Sequence, residues 1–400
     1  MNKSAGSYQV VIAGAGLVGA LAALALKTQR PHWRVLMLEA RAADQAISDP
    51  RALALARRTV AALKQYGVWQ GVEARLNPIQ HHAIEHIHIS DVTGPGSVQL
   101  DADRYNEQAL GYVVPASAVQ EALLAACAEQ GVEVRHETHI SALHGNKREQ
   151  VLTLNDGAEL YTELLLSCDG SASHMRKLLG VQERVSDYQQ VAIAGEIELA
   201  KSHENFAYER FTPEGPMALL PLGQRKFSLV WCGSPEKINT LMALSDEDFL
   251  TAAQAQFGSR AGRFVKAARF AAFPLQLLIV DRFVGYRWLL LGNACHTLHP
   301  VAGQGYNLGV RDVLALAERL RHASDPGATH LLSAYAASRT EDYKAITGFT
   351  DGLVHIFSSD NGLASYARRS GLKGLRLCKL VQRQVAERAM GLGVEQARWD

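Results

Sequence analysis

Val10–Leu26 reads VVIAGAGLVGALAALAL. An uncharged apolar run of this length, with Lys3 upstream, could serve as a signal peptide or a marginal membrane span. Its glycines point elsewhere. Gly14, Gly16 and Gly19 fall in a G-x-G-x-x-G pattern, and RVLMLE, residues 34–39, follows as a second apolar strand. The spacing predicts a strand over 8–13, a helix over 17–28 and a strand over 34–39. That is a β-α-β unit, which implies a parallel sheet.

Each glycine has its own task in this unit. Gly14 permits a tight turn, Gly16 lets a pyrophosphate approach the backbone, and Gly19 lets the helix pack close to the strand. The helix N-terminus then points at the phosphates. Glu39 closes the second strand 20 residues after Gly19, where a carboxylate accepts hydrogen bonds from a ribose. An acid there suits an unphosphorylated 2′-hydroxyl, hence FAD or NAD rather than NADP. Arg51, after Pro50, has two readings: a solvated arginine in a helix first turn, or one reaching a flavin or phosphate.

The whole chain is too long for one core: 400 residues predict at least two packed units. The 48% apolar and 20% charged fractions are those of a soluble globular protein. Lys plus Arg number 41 against 40 Asp plus Glu, so nothing points to nucleic acid. The five scattered cysteines contain no C-x-x-C pair, which predicts a reducing, cytoplasmic compartment without a disulfide frame.

DPRALALARRTVAALKQYGV reads as a loop and a helix, and residues 116–130 as a helix. VAIAGEIEL, NFAYERFT, MALLPLG and KFSLVWC, within 185–232, predict a second, mainly antiparallel sheet. Trp231 and Phe227 read as core or as an apolar substrate wall.

Two more glycine turns follow apolar strands. LLLSCDGSASHMRKLLG, residues 164–180, reads as strand, turn and helix, with Ser173 near a cap. By itself it is either a structural turn or a place where Asp169 and Arg176 meet a pyrophosphate. GNACHTLHPVAGQGYNLGVRD, Gly292–Asp312, carries Gly303-Gln304-Gly305 ahead of a helix from about Tyr306. Its first amides would face a ligand, and that positive pole suits the negative edge of a reduced flavin. His296 and His299 have metal-like spacing, but Pro300 biases His299 to extended backbone and no further ligand is suitably placed. His86 and His88 share a strand face rather than forming a ligand pair.

In this order, GAGLVG with Glu39, CDGSASHMR and GNACHTLHPVAGQGYNLGVRD resemble the FAD-dependent aromatic hydroxylases, the group A flavoprotein monooxygenases. DPRALALA, YERFTPEGPMALLPL, SLVWC, GYNLGVRD and TDGLVHIF resemble the ubiquinone-biosynthesis hydroxylases within that group, nearest the 2-polyprenyl-6-methoxyphenol hydroxylases. The resemblance implies a fold like para-hydroxybenzoate hydroxylase: a Rossmann-like FAD-binding domain interleaved with an antiparallel substrate domain, and a helical C-terminus. It implies that Gly14, Gly16, Gly19 and Glu39 hold the ADP half of FAD, with Arg51 on the flavin side. Asp169 and Arg176 match a motif tied to FAD and NAD(P)H. Asn293 stands where the family usually has aspartate. Pro300 and Gly303 to Asn307, including Gln304 and Gly305, would floor the flavin.

The implied chemistry is NAD(P)H-driven hydroxylation of a polyprenylated methoxyphenol by O₂, through a flavin C4a-hydroperoxide, to a 1,4-benzoquinol. Alternatives are another ring position, a small soluble phenol, or a flavin-binding scaffold subunit. The expected domains are 1–78, 103–183 and 268–345 for FAD, 79–102 and 184–267 for substrate, and 346–400 as a helical C-terminal region. That last part, basic and amphipathic from about 363, could dock on the inner membrane or a biosynthetic complex, or pack on the body as a solvated helix.

Overall fold

The computed structural model describes residues 6–45, 47, 49–76, 78–92, 97–146, 148–299 and 303–358. Strand β1 (Ser7–Ala13), helix α1 (Leu17–Gln29) and strand β2 (Val35–Leu38) form the expected unit. β1 pairs in parallel with β2 on one side and with β3 (Glu159–Ser167) on the other. Trp288–Leu290 adds in parallel to β3, and Glu133–Arg135 to β2. Antiparallel strands Gln150–Leu154 and Ile140–Gly145 attach beyond β3.

Alternation along these strands feeds two cores. Val10, Ile12, Leu164 and Leu289 join a cluster with α1 and Ala116–Glu129. Val11, Leu36, Leu165 and Leu290 join one on the other face. A parallel sheet covered on both faces explains why its strands read as unbroken apolar runs. It also explains α1, which is buried from Gly19 to Leu26. A helix apolar all round is a buried one, so the run that mimicked a membrane span is core. Among the described residues no helix is long and apolar enough to cross a membrane.

The second sheet holds β4 (Glu183–Leu199), β5 (Phe206–Phe211), β6 (Met217–Pro221), β7 (Lys226–Gly233) and β8 (Phe264–Val280). Its order is His296–Thr297, β8, β4, β7, β6, β5, His86–Asp91, Ser97–Asp101. All pairs are antiparallel except β5 with His86–Asp91. Phe227 and Trp231 are buried on the face covered by Pro235–Ala243 and Asp246–Phe257, with Phe249, so both are core. A three-stranded sheet of Ala52–Ala56, Gly111–Pro115 and Ala83–Ile84 lies apart from both.

Three features differ from the sequence reading. Ala52–Ala56 is a strand where a loop was expected, its Ala-Leu alternation facing the core through Leu53 and Leu55. β8 escaped notice because Pro274 interrupts its pattern and a bulge opposite Ala194 and Gly195 breaks its period of two. The expected domain boundary at 268 therefore falls inside one strand. Among the described residues the last long helices are α2 (Gln304–Leu320) and α3 (Thr329–Ser358). The expected amphipathic segment from about 363 lies outside the described residues, as does Pro300.

A Cβ on Gly19 would stand 2.0 Å from the Gly14 carbonyl oxygen, whereas one on Gly16 would meet nothing within 4 Å. Overpacking costs about 1–3 kcal/mol, and here the obstacle is backbone that cannot rotate away. Gly19→Ala should therefore unfold well below the parent in urea, and Gly16→Ala with it. Equal midpoints for the two variants would refute this packing argument.

Candidate functional site

The three glycine turns open at one edge because their strands end in register. Ala13 lies beside Ser167, and Ser167 beside Leu290. β1 leaves toward Gly14, β3 toward Asp169–Gly170, and Trp288–Leu290 toward Gly292–Ala294. In open α/β sheets, ligands bind beyond such carboxyl ends.

Gly14 has φ +99°, and a Cβ there would stand 2.6 Å from the Cys168 carbonyl oxygen. The first turn thus rests on the second. Helix α1 begins with no side-chain cap and no acid in its first turn. Its first amides remain available to an anion, and Gly16 leaves open space before them. Buried Glu39 accepts from the amides of Ala15 and Arg41, at 3.1 Å each, and from Arg41 Nε at 3.0 Å. Burial raises its carboxyl, but the bonds and charge of Arg41 outweigh this and hold it below the usual range. It is an ionised acceptor fixed beside the first glycine turn.

The second turn is tied together from within. Asp169 accepts from Ser167 Oγ and Ser173 Oγ at 2.7 Å and from the Met175 amide at 3.0 Å. Buried Arg176 donates to Glu183 at 2.7 Å, to the Ala294 carbonyl at 3.1 Å and to the Ser171 carbonyl. It therefore clamps the second turn to the third. Asn293 sits in that third turn, half-buried, its carbonyl 3.4 Å from Arg176.

Gly303, at φ +60°, starts α2 and would clash with Ala54 if it carried a Cβ. Gln304 is buried, and Gly305 has open space where a Cβ would stand. Asn307 donates to the carbonyls of Ala54 and Gly303 and accepts from the Ala56 amide and Thr59 Oγ1, at 2.7–2.9 Å. Its amide is occupied with fastening α2 to the strand Ala52–Ala56. Arg51, immediately before that strand, is exposed and paired with Asp49 at 2.6 Å. Both residues line an open cavity of roughly 300 Å³, together with Pro115 and with Gly195, Glu196, Leu222, Ser228 and Phe270 of the second sheet region.

The histidines of the third motif do not form a metal pair. His296 Nε2 bonds Asp312 at 2.9 Å, while His299 lies 3.3 Å from Gln190. His86 bonds Asp101 and stacks on Phe206; His88 packs on Tyr208. Sequence reading passed over the buried ionic network behind the site. Asp312 accepts from Arg339 at 2.9 Å, and Asp342 bridges Arg339 at 2.5 Å and Arg311 at 3.0 Å. Burial raises the Asp312 carboxyl, but Arg339 and His296 outweigh it and keep it low. No spacing rule could have found partners 27 and 31 residues apart on two helices.

The comparisons with known proteins agree with this geometry. The family model described as an FAD binding domain matches residues 7–350. The chain is 32% identical to ubiquinone hydroxylase UbiL of Rhodospirillum rubrum, over 97% of this chain and 91% of that protein. It is 30% identical to 3-demethoxyubiquinol 3-hydroxylase of Escherichia coli, over 96% and 98%. The structure resembles p-nitrophenol 4-monooxygenase PnpA of Pseudomonas putida, with TM-score 0.77 and 18% identity over 98% of this chain and 100% of that one. The fold and its turns define an FAD-dependent monooxygenase. Within that class, the chain belongs to the family of ubiquinone-biosynthesis hydroxylases. These enzymes take their electrons from NAD(P)H.

Removing one partner of a buried ion pair costs about 3–5 kcal/mol. Asp312→Asn should lose stability in that range in urea unfolding. A change below about 1 kcal/mol would mean the network is not holding α2 to α3.

Proposed function

We propose that the chain hydroxylates the ring of a polyprenylated phenol, converting a 2-polyprenyl-6-methoxyphenol to the 1,4-benzoquinol. The observation that carries this reading is the cavity lying between Arg51–Ala52, beside the Gly303 turn, and the second sheet. An aromatic ring there would lie against the flavin edge of the site. The residues fit FAD: an uncapped helix N-terminus, open space at Gly16, and an ionised Glu39.

Gly14, Gly16 and Gly19 shape the pyrophosphate loop, and Glu39 receives the ribose hydroxyls. Asp169 and Arg176 support the loop through the second turn, and Asn293 presents a neutral amide toward the ribityl side. Gly303, Gln304, Gly305 and Asn307 form the floor at the start of α2, with Pro300 expected beside them. Arg51 stands at the junction of flavin and substrate. Bound FAD supplies the activation of O₂ by NAD(P)H electrons. The protein's share is to seat the ring, exclude water and favour the electron-rich form of the phenol. The open tail of such a substrate implies contact with a membrane surface or a partner in the same pathway.

Incubation with a short-tailed 2-prenyl-6-methoxyphenol, NAD(P)H and ¹⁸O₂ tests this. The expected product is the 1,4-benzoquinol carrying one labelled oxygen. Oxygen at another carbon would reassign the ring position. FAD binding without phenol-stimulated NAD(P)H oxidation would favour a scaffold role. Glu39→Ala should weaken FAD roughly ten- to hundredfold, the worth of about 1.5–3 kcal/mol for charge-assisted hydrogen bonds. Unchanged FAD affinity by fluorescence titration would remove Glu39 from the site.

A further inference from the structure

One acid in the second sheet has no place in the machinery described so far. Tyr208 of β5 packs against Phe227 and Phe257 on the helix-covered face. Strand alternation then turns its neighbour Glu209 to the opposite face, with Ala207 and Phe211. Register sets Glu209 beside Ala218, Ala218 beside Val230, and Val230 beside Ala194. The carboxyl therefore stands within a row of apolar side chains, between Ile89 on one side and Ala218 on the other.

That row belongs to the cavity side of the sheet. Glu196 and Ser228, which line the cavity, are each two residues along their strands from Ala194 and Val230. Strand spacing places Glu209 roughly 12 Å from Ser228 along the same face. Val230 also packs in a cluster with Tyr188, Ala192, Cys232 and Leu275. Tyr188 meets the ring of His299, the residue before Pro300. The flat floor thus runs from Glu209 toward the expected flavin side.

Glu209 is half-buried, yet its carboxyl makes no hydrogen bond or ion pair with any described residue. Glu39, Asp169, Asp312 and Asp342 all have such partners. An acid held in apolar surroundings without a partner costs stability, and its retention points to a ligand that completes it.

We propose that Glu209 is a catalytic base, receiving the hydroxyl proton of a phenol whose ring lies on the Ala218–Val230 floor. This rests on the hydroxylase reading above. The phenol O–H bond breaks as a bond forms from the proton to a Glu209 oxygen. The electron pair stays on the phenol oxygen and enriches the para carbon, which receives one oxygen atom of O₂. NAD(P)H supplies the two electrons that reduce the other oxygen atom to water. When the ring regains aromaticity, the hydrogen displaced from the para carbon passes as a proton to the new oxygen, and Glu209 returns its proton to the phenol oxygen, leaving the quinol and an ionised carboxylate. Burial pushes the Glu209 carboxyl up to about 7. The base is thus present above that pH and lost as the pH falls through it. The other titratable and charged groups toward this face are Tyr188, Cys232, Glu196, Asp91 and His299, with the Asp49–Arg51 ion pair in the cavity wall. Burial holds the Cys232 thiol and the His299 ring neutral there, moving the thiol up and the histidine down to about 4.

Two variants of the FAD-loaded full chain test the assignment. Glu209→Leu removes the acceptor, and Glu209→Gln keeps its shape but not its basicity. Calorimetry with 4-cyanophenol and its methyl ether reads the hydroxyl contact without turnover. The parent should prefer the phenol by roughly tenfold or more, the worth of a hydrogen bond to a charged group. Glu209→Leu should reduce that preference to about threefold or less, and should melt no lower than the parent because no partner is orphaned. In the parent, kcat/KM for phenol hydroxylation should rise through about pH 7. Glu209→Gln should lose that rise and fall roughly a hundredfold above it. A parent indifferent to the hydroxyl, an undiminished preference in Glu209→Leu, or an intact pH limb in Glu209→Gln overturns the proposal. A parent that prefers the phenol through Glu209 but oxidises no phenol would instead overturn the hydroxylase reading, and would leave Glu209 as a hydroxyl-binding residue.

Discussion

The amide of Cys168 donates to the carbonyl of Ala13, and the amide of Leu291 donates to the carbonyl of Ser167. These two bonds carry the parallel ladder one step past the strands. They bring three turns, distant in sequence, to a common edge. A shift by one residue would invert which side chains enter each core and would separate Gly14 from Cys168. The close approach of those two residues exists only in this register. Everything proposed for the cofactor depends on it, because the glycine loop alone is a turn without walls.

The walls are built by side chains that spend their hydrogen bonds on each other. Arg176 holds the second turn against the third, and Asn307 holds α2 against Ala52–Ala56. Such groups give the site its rigidity while leaving open space at Gly16 and Gly305. The Asp312–Arg339–Asp342–Arg311 network does the same one layer deeper, where His296 joins it. Buried charge is a costly way to add stability. Its directional bonds, however, fix the middle of α2 relative to α3 more tightly than apolar contact would.

What could be read from the sequence was what is local. Gly14, Gly19 and Glu39 act within one β-α-β unit, so their spacing carries their geometry. The second sheet was visible through alternation in β5, β6 and β7. β8 was not, because Pro274 and a bulge erase the alternation that betrays a strand. The site beyond the glycine loop was legible only as motifs. Arg176 meets Ala294 across 118 residues and Asn307 meets Ala56 across 251, and no periodicity encodes contacts of that range. The pattern names the residue; the fold decides what it touches.

Glu209 shows the same division from the other side. In NFAYERFT, alternation already sets Tyr208 and Glu209 on opposite faces, and a charged residue opposite a core face normally means solvent. Here the second face is also turned toward protein, since Ile87, Ile89, Leu220 and Leu222 pack with Ala207 beside it. Placement between an apolar cluster and a cavity changes the meaning of the same acid. In water it would be an ordinary ionised carboxylate. On this face its charge is uncompensated, and burial alone moves its proton affinity into the range where it can give and take a proton near neutrality. The fold thereby supplies a basic group through what surrounds Glu209 rather than through any residue bonded to it.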